Sequence, residues 1–392
     1  MNILFVNDIP FNPIGGGIER VTDILTKELK KRGYTIYYLF GKLSQSKLYL
    51  LNYTFPAKLF QLPNYGFFDD AENVVFYKKL QEELKLDVVV NQRGLGGSFN
   101  NILPITHTKI ISVIHSTPES SLTSILNKSV ISTVPPFANI KRKIKRTFPS
   151  IVSLYWKNRI KRKYNYLAYY SRAIVTLSPK YIDTLNHFIN HSHQAKIISI
   201  PNPNSFDKIE GISAPKEKIV LYVGRLEKEQ KEPLRLLKIW EFLHEKYSEW
   251  QLRIVGDGDE GTQMQDYVKK RGLKNVFFEG RQSNVAQYYQ KAAFICLVSD
   301  YEGFPMVITE GMQYGCIPFT FNSFGAAFDV IEDGVDGCII PAFDLKEYAL
   351  RMSELMDDEN IRFKMSKATL EKVKIFSVEN VVNKWNDLFR SL

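Results

Sequence analysis

Two carboxylates separated by seven residues, Glu302 and Glu310, frame the stretch of this chain best suited to chemistry, Ser299-Asp300-Tyr301-Glu302-Gly303-Phe304-Pro305 and onward to Gly311. Just before it, Ala292 to Val298 is a short continuous apolar run, which reads as a buried parallel strand. Pro305 suits the first turn of a helix carrying Met306, Ile308 and Met312 and ending near Gly315. Glu302 then lies in the loop at the carboxyl end of a strand, and Glu310 lies just over one turn into the helix. The start of that helix offers backbone N–H groups, a natural seat for phosphate. Carboxylates flanking a phosphate seat suit a nucleotide-sugar, one accepting from ribose hydroxyls and the other from sugar hydroxyls. An isolated pair of this kind reads more readily as a helix cap beside a solvated acid, so the surrounding elements must decide.

Those elements alternate between strand and helix through both halves, which is an α/β pattern. In the first half, Ile3 to Asn7 is a strand, followed by Gly15-Gly16-Gly17 and an amphipathic helix bearing Val21, Ile24, Leu25 and Leu29. Glycines between a first strand and a helix let the backbone approach a ligand closely, although such a run is also simply a tight turn. Further strands are Thr35–Phe40, Leu86–Asn91, Lys109–His115 and Ala173–Ser178. His115 falls at a carboxyl strand end, where open α/β sheets bind ligands, and a histidine bonded into a strand end is the plain alternative. Residues 206–218 read as a linker. The pattern restarts at Lys218–Leu226, with Arg225 and Lys231 around an acidic loop, and continues through Trp250–Val255 and Asn275–Arg281.

Composition bounds the rest. A chain of 392 residues with 44% hydrophobic and 24% charged residues has the length for two globular domains. Met1 to Asn7 runs straight into a strand, and no stretch is long enough to span a bilayer, so neither a signal peptide nor a transmembrane helix is expected. Cys296, Cys316 and Cys338 sit in apolar runs, which fits a reducing, cytoplasmic setting. His187, His191 and His193 have no carboxylate or cysteine with them, so no metal site is expected. The net charge of +10 has one source: between Glu119 and Asp183 there is no acidic residue. That span carries Lys141, Arg142, Lys143, Lys145 and Arg146, and then Trp156 among many tyrosines. Basic and aromatic residues together suit an anionic membrane surface. No nucleic-acid motif accompanies them, so nucleic acid is not expected.

The Glu302 to Glu310 stretch resembles the signature of retaining GT-B glycosyltransferases of the family 4 group. The order Val223-Gly224-Arg225-Leu226 with Lys231, then Gly256-Asp257-Gly258-Asp259, Glu279-Gly280-Arg281 and Glu302-Gly303-Phe304-Pro305 is similar to theirs. The resemblance implies a GT-B fold, two Rossmann-like doubly wound domains facing a cleft. Residues 1–205 would form the acceptor-side domain, 206–376 the nucleotide-sugar domain, and 377–392 a helix crossing back to the first. It implies retaining transfer from a nucleotide diphosphate sugar, UDP-linked, to a lipid-linked cell-surface glycan of the capsular, exopolysaccharide or lipopolysaccharide type. No cofactor and no metal are implied. Arg225 and Lys231 would neutralise the leaving diphosphate. Glu302 would hold the sugar, with His115 beside the reacting centre. Gly303, Phe304, Pro305 and Glu310 would hold phosphate and ribose, and Gly280 and Arg281 the base. Gly15, Gly16 and Gly17 would face the donor phosphates and acceptor. The chain departs from the pattern in having Lys231-Glu232 for Lys-Gly, Phe324-Gly325 for Gly-Gly, and Pro203 for the glycine of an IPNG-type turn. Asp257-Gly258-Asp259 superficially matches the metal-binding pair of GT-A transferases, but its glycines mark a turn. Two alternatives share these features: a GT-B-fold sugar-nucleotide epimerase, and a non-catalytic nucleotide-sugar or nucleic-acid binding protein. The expected location is the cytoplasm, on the inner face of the plasma membrane.

Overall fold

A computed structural model describes residues 1–94, 96, 98–119, 149–190, 195–206 and 216–392. Lys141, Arg142, Lys143, Lys145, Arg146, His191, His193 and most of the linker lie outside them. The chain divides into two compact units, Met1–Ser205 with Val378–Leu392, and Phe206–Ser377.

The first unit holds a seven-stranded parallel sheet. Its strands are β1 (Asn2–Asn7), β2 (Thr35–Phe40), β3 (Lys58–Gln61), β4 (Val88–Asn91), β5 (Lys109–Ile114), β6 (Ala173–Thr176) and β7 (Lys196–Ser199). They are ordered β3-β2-β1-β4-β5-β6-β7. Strands covered by helices on both faces need apolar residues throughout, and Ile3, Leu4, Phe5 and Val6 of β1 are all fully buried. The helix Val378–Ser391 puts Val381, Val382, Trp385, Leu388 and Phe389 into the same core as Ile3, Phe5, Leu25 and Leu29. Two hydrogen bonds pin it there, from Arg32 Nη1 to Asn383 Oδ1 and from Tyr34 Oη to Asn386 Oδ1, both 2.7 Å.

The second unit holds a six-stranded parallel sheet. Its strands are β8 (Glu217–Val223), β9 (Gln251–Val255), β10 (Val276–Gly280), β11 (Ala292–Leu297), β12 (Ile317–Phe321) and β13 (Cys338–Ile340). Their order is β10-β9-β8-β11-β12-β13, the doubly wound arrangement in which β8 has β9 on one side and β11 on the other. Each chain of crossovers therefore leaves β8 in opposite directions, and a crevice opens outside the carboxyl ends of β8 and β11. Trp240, Trp250, Phe294, Phe319 and Tyr348 fill the core on this sheet, with Trp250 and Phe294 stacked at 5.0 Å between ring centres.

Candidate active site

The crevice of the second unit gathers loops that are distant in sequence. Lys231, in the loop after β8, places Nζ 2.5 Å from Glu302 Oε1, in the loop after β11. Their side chains are 16% and 9% exposed, so the pair is far less screened than a surface ion pair. Gln230 bolts the two loops together. Its backbone carbonyl accepts from Asp300 N at 2.8 Å, and its Nε2 donates to Tyr301 O at 3.0 Å and to Glu302 Oε2 at 3.3 Å. Arg225 stands more open, with Nη1 2.7 Å from Glu227 Oε2. Arg235 Nη1 anchors the β11 loop by bonding Asp300 Oδ1 at 2.6 Å and donating to Val298 O at 3.1 Å. Gln230 and Arg235 carried no signal in the sequence that distinguishes them from ordinary surface polar residues.

Glu232, where the resembled pattern has glycine, adopts φ +43°, a left-handed conformation. Its N–H closes the loop onto Glu227 O at 3.0 Å. The backbone keeps the shape a glycine would give, at a cost of about 1–2 kcal/mol for a side chain there. The substitution therefore leaves Lys231 in place.

The stretch from Glu302 to Glu310 differs in detail from the sequence reading. The helix runs Met306–Gln313, with Pro305 at its N-cap rather than in its first turn. A proline ring has no N–H to lose at the cap, and its own carbonyl accepts from Ile308 N at 2.9 Å. Met306 N likewise donates to Phe304 O at 2.9 Å. These amides are engaged within the turn, so this helix start presents fewer unpaired N–H groups than the sequence suggests. Phe304 is buried and packs edge-on against Phe376 at 5.3 Å, an anchor for the loop. Glu310 is 3% exposed, and its Oε2 accepts from the Tyr289 hydroxyl at 2.9 Å. Tyr289 is itself fully buried, and nothing local to Glu310 marked it as the partner.

The turn after β9 abuts the loop after β8. Leu226 N donates to Asp257 O at 2.8 Å, and Glu260 N to Leu226 O at 2.9 Å. Gly256 (φ +143°) and Gly258 (φ +150°) make this approach possible: a Cβ on either would lie 1.9 Å from Gly224 O or 2.4 Å from Leu226 O. Asp257-Gly258-Asp259 is therefore turn backbone that shapes the Arg225 loop. Gly280, at φ +65°, accepts from Gly256 N at 2.8 Å, and Arg281 beside it is exposed.

In the first unit the carboxyl ends of β1, β4 and β5 carry a second polar group. His115, one residue past β5, places Nε2 2.5 Å from Gln92 Oε1, just past β4. Burial, then the nearby Arg93 guanidinium, push the His115 imidazole down to about 3, which keeps the ring neutral near pH 7. Arg93 Nη2 lies 2.8 Å from Asp8 Oδ2. The glycine stretch forms a 3-10 turn, Pro13–Gly15, and Gly17 opens the helix Gly17–Lys31. Glu19, in that helix's first turn, is buried and accepts from Asn7 Nδ2 at 2.7 Å. Gly16 leaves the room for that carboxylate, which a Cβ would approach to 2.7 Å. Glu19 lies two residues beyond the last of these glycines, an acid in the first turn of the helix they open, and that spacing is its one signal in the sequence. Trp156 is partly buried against the core, beneath Arg159. Among the described residues no group of three His, Cys, Asp or Glu is arranged to hold a metal, and no helix is long and apolar enough to cross a membrane.

Two doubly wound sheets and polar loops at their carboxyl edges define a GT-B protein. Residues 205–372, which take in most of the second unit, match the family model described as Glycosyl transferases group 1. The chain is 30% identical over 186 residues to the amylovoran biosynthesis glycosyltransferase AmsD of Erwinia amylovora, covering 47% of this chain and 52% of that one. It is 31% identical over 182 residues to a Campylobacter jejuni alpha-1,4-N-acetyl-D-galactosaminyltransferase, covering 46% and 49%. It thus spans about half the length of the curated relatives it matches. Among solved structures, Staphylococcus aureus TarM superposes with a TM-score of 0.75 at 13% identity over 99% of both chains. Anabaena HepE gives 0.73 at 17% identity over 100% of both. These likenesses establish the GT-B fold.

Proposed function

We propose that the chain transfers a sugar, with retention, from a UDP-linked donor to a hydroxyl of a growing lipid-linked cell-surface glycan. The observation that carries this is the Lys231–Glu302 pair at the crevice of the second sheet. It joins the cation suited to a diphosphate with the carboxylate suited to sugar hydroxyls. A donor diphosphate competes with Glu302 for the Lys231 ammonium. As it binds, Glu302 is released to accept from the sugar, while Arg225, already at the loop surface, closes on the phosphates. Lys231 and Arg225 then stabilise the charge that grows on the departing diphosphate, so the transfer needs no metal and no cofactor. Rates should be unchanged in excess chelator, and loss of activity restored by manganese would return Asp257 and Asp259 to consideration. On the acceptor side, Asn91 Nδ2 and Arg93 Nε are buried without a hydrogen-bond partner among the described residues and suit acceptor hydroxyls. Neutral His115 would donate or accept without adding charge.

The relatives support the donor and acceptor classes. The Campylobacter enzyme is named for an acceptor on PP-undecaprenol, and the HepE and TarM structures were solved with UDP. Donor turnover with and without a lipid-linked acceptor tests the reading. Acceptor-dependent loss of UDP-sugar, with the donor's anomeric configuration kept in the product, is expected. Turnover without acceptor makes the protein an epimerase or hydrolase, and binding without turnover makes it a non-catalytic protein.

Glu310→Ala should weaken UDP binding about 10- to 100-fold, since a charge-assisted hydrogen bond to ribose is worth about 1.5–3 kcal/mol. Tyr289→Phe is the control, because it removes the hydroxyl that Glu310 accepts from and leaves the carboxylate. Unchanged UDP affinity in Glu310→Ala, measured by calorimetry, would reduce Glu310 to a partner for Tyr289.

A further inference from the structure

The helix Pro149–Tyr170 of the first unit buries Ile160, Tyr164, Leu167 and Ala168 in the core beside Ile110, Ile174 and Leu185. Its opposite face is exposed and unusual in composition. Tyr155, Arg159, Arg162, Tyr166 and Tyr169 follow one another at spacings of four, three, four and three, and so form one stripe along the helix. All five are exposed, Tyr155 by 61% and Tyr169 by 68%. Leu154, Lys161 and Lys163 flank the stripe and are exposed as well. There is no carboxylate anywhere in the helix. The bracketing acids in sequence are Glu119, which sits near the buried Tyr164, and Asp183 on the following helix.

A helix that merely faces water usually mixes charge signs and has no reason to hold a leucine and three tyrosines in the open. The Arg159 guanidinium lies over the Trp156 ring at 4.9 Å, which seats the charge on an apolar surface. Tyr166 and Tyr169 both pack against Tyr170, with ring centres 4.9 and 4.8 Å apart. Rings packed on one another make a low apolar ridge, whereas single-stranded nucleic acid is held on separate rings that bases stack upon.

We propose that this face docks the protein on an anionic lipid surface. Arg159, Arg162, Lys161 and Lys163 meet lipid phosphates, while Leu154 and the tyrosines settle at headgroup level. The role rests on the lipid-linked acceptor proposed above, because docking delivers the protein to the plane in which such an acceptor lies. The test is sedimentation of the full chain with phosphatidylcholine vesicles, with and without phosphatidylglycerol, at low and high salt. Wild type should bind the anionic vesicles, and salt should weaken the binding. Combining Arg159→Gln, Arg162→Gln and Lys163→Gln should lower the partition on the order of a hundredfold, since each basic group adds about fivefold. Tyr155→Ser with Tyr169→Ser should remove the part of the binding that survives high salt. UDP binding by calorimetry, read on every variant, should be unchanged. Loss of UDP binding in wild type would sink the enzymatic reading and leave the docking result standing. Partition of the charge variant equal to wild type, or equal binding of wild type to neutral vesicles, would overturn the proposal. Binding of a single-stranded oligonucleotide without vesicle binding would overturn it too, and would make this a nucleic-acid face.

Discussion

Lys231→Ala is expected to lower kcat by a factor on the order of 10²–10³, the usual loss when one preorganised electrostatic group is removed from a transition state. The effect has a second part, because Lys231 is the ion-pair partner of Glu302 across 2.5 Å, and that carboxylate is 9% exposed. Leaving a mostly buried charge without its counter-charge should also destabilise the second unit, by roughly 1–3 kcal/mol. The two parts separate in a double-mutant cycle. Glu302→Gln keeps an acceptor for Gln230 Nε2 and removes the charge, so combining it with Lys231→Ala should restore thermal stability and leave the rate low. Glu302→Gln alone frees Lys231. It should hold or tighten the binding of free UDP while it weakens recognition of the intact UDP-sugar. Equal losses for UDP and UDP-sugar in that variant would show that Glu302 does not discriminate the sugar, and a wild-type kcat in Lys231→Ala would remove the leaving-group role altogether.

Gly256→Ala should be the most disruptive single methyl in the second unit, although it touches no proposed ligand. The new Cβ would lie 1.9 Å from the Gly224 carbonyl oxygen, and both partners of the contact are backbone that cannot rotate away. The residue also holds φ +143°, which a side chain strongly disfavours. Strain and overpacking together place the cost at about 2–5 kcal/mol. If the loops separate to relieve it, the bonds from Gly224 N to Val255 O and from Leu226 N to Asp257 O are lost, and Arg225 is displaced with them. Urea unfolding should show the midpoint falling with little change in slope, accompanied by weaker UDP binding. Gly272→Ala is the comparison: that glycine is also left-handed, at φ +63°, but a Cβ there meets nothing within 4 Å. If the two variants lost equal stability, backbone conformation alone would account for Gly256 and the packing argument would fall.

Several features were legible without coordinates because they are local. Continuous apolar runs such as Val88–Asn91 and Ala292–Leu297 read as strands buried on both faces, and the three glycines after β1 marked a turn. Glu302 fell in a loop and Glu310 in a helix for the same reason: strand, turn and helix are decided by residues within a few positions of one another. Pro305 sits at the N-cap, one residue before the first turn that its residue type favours, because a helix boundary shifts by a residue with little local cost.

The pairings were decided by tertiary structure alone. Lys231 and Glu302 are 71 positions apart and meet because β11 lies directly beside β8, with β9 and β10 sent to the other side. Strand order of that kind depends on how crossovers pack against the whole sheet, and no window of sequence encodes it. Tyr289 under Glu310, Gln230 between two loops, and Gln92 against His115 follow from the same adjacency. Glu232 is the sharpest case. Its residue type argued against a glycine-shaped loop, yet the bond to Glu227 and the contacts that hold Lys231 and Gln230 keep it left-handed. By itself the sequence determined which residues stand at the carboxyl edges of strands. The packed sheet decided which of them touch, because contact energy between distant loops exceeds the preference of any single residue for its own conformation.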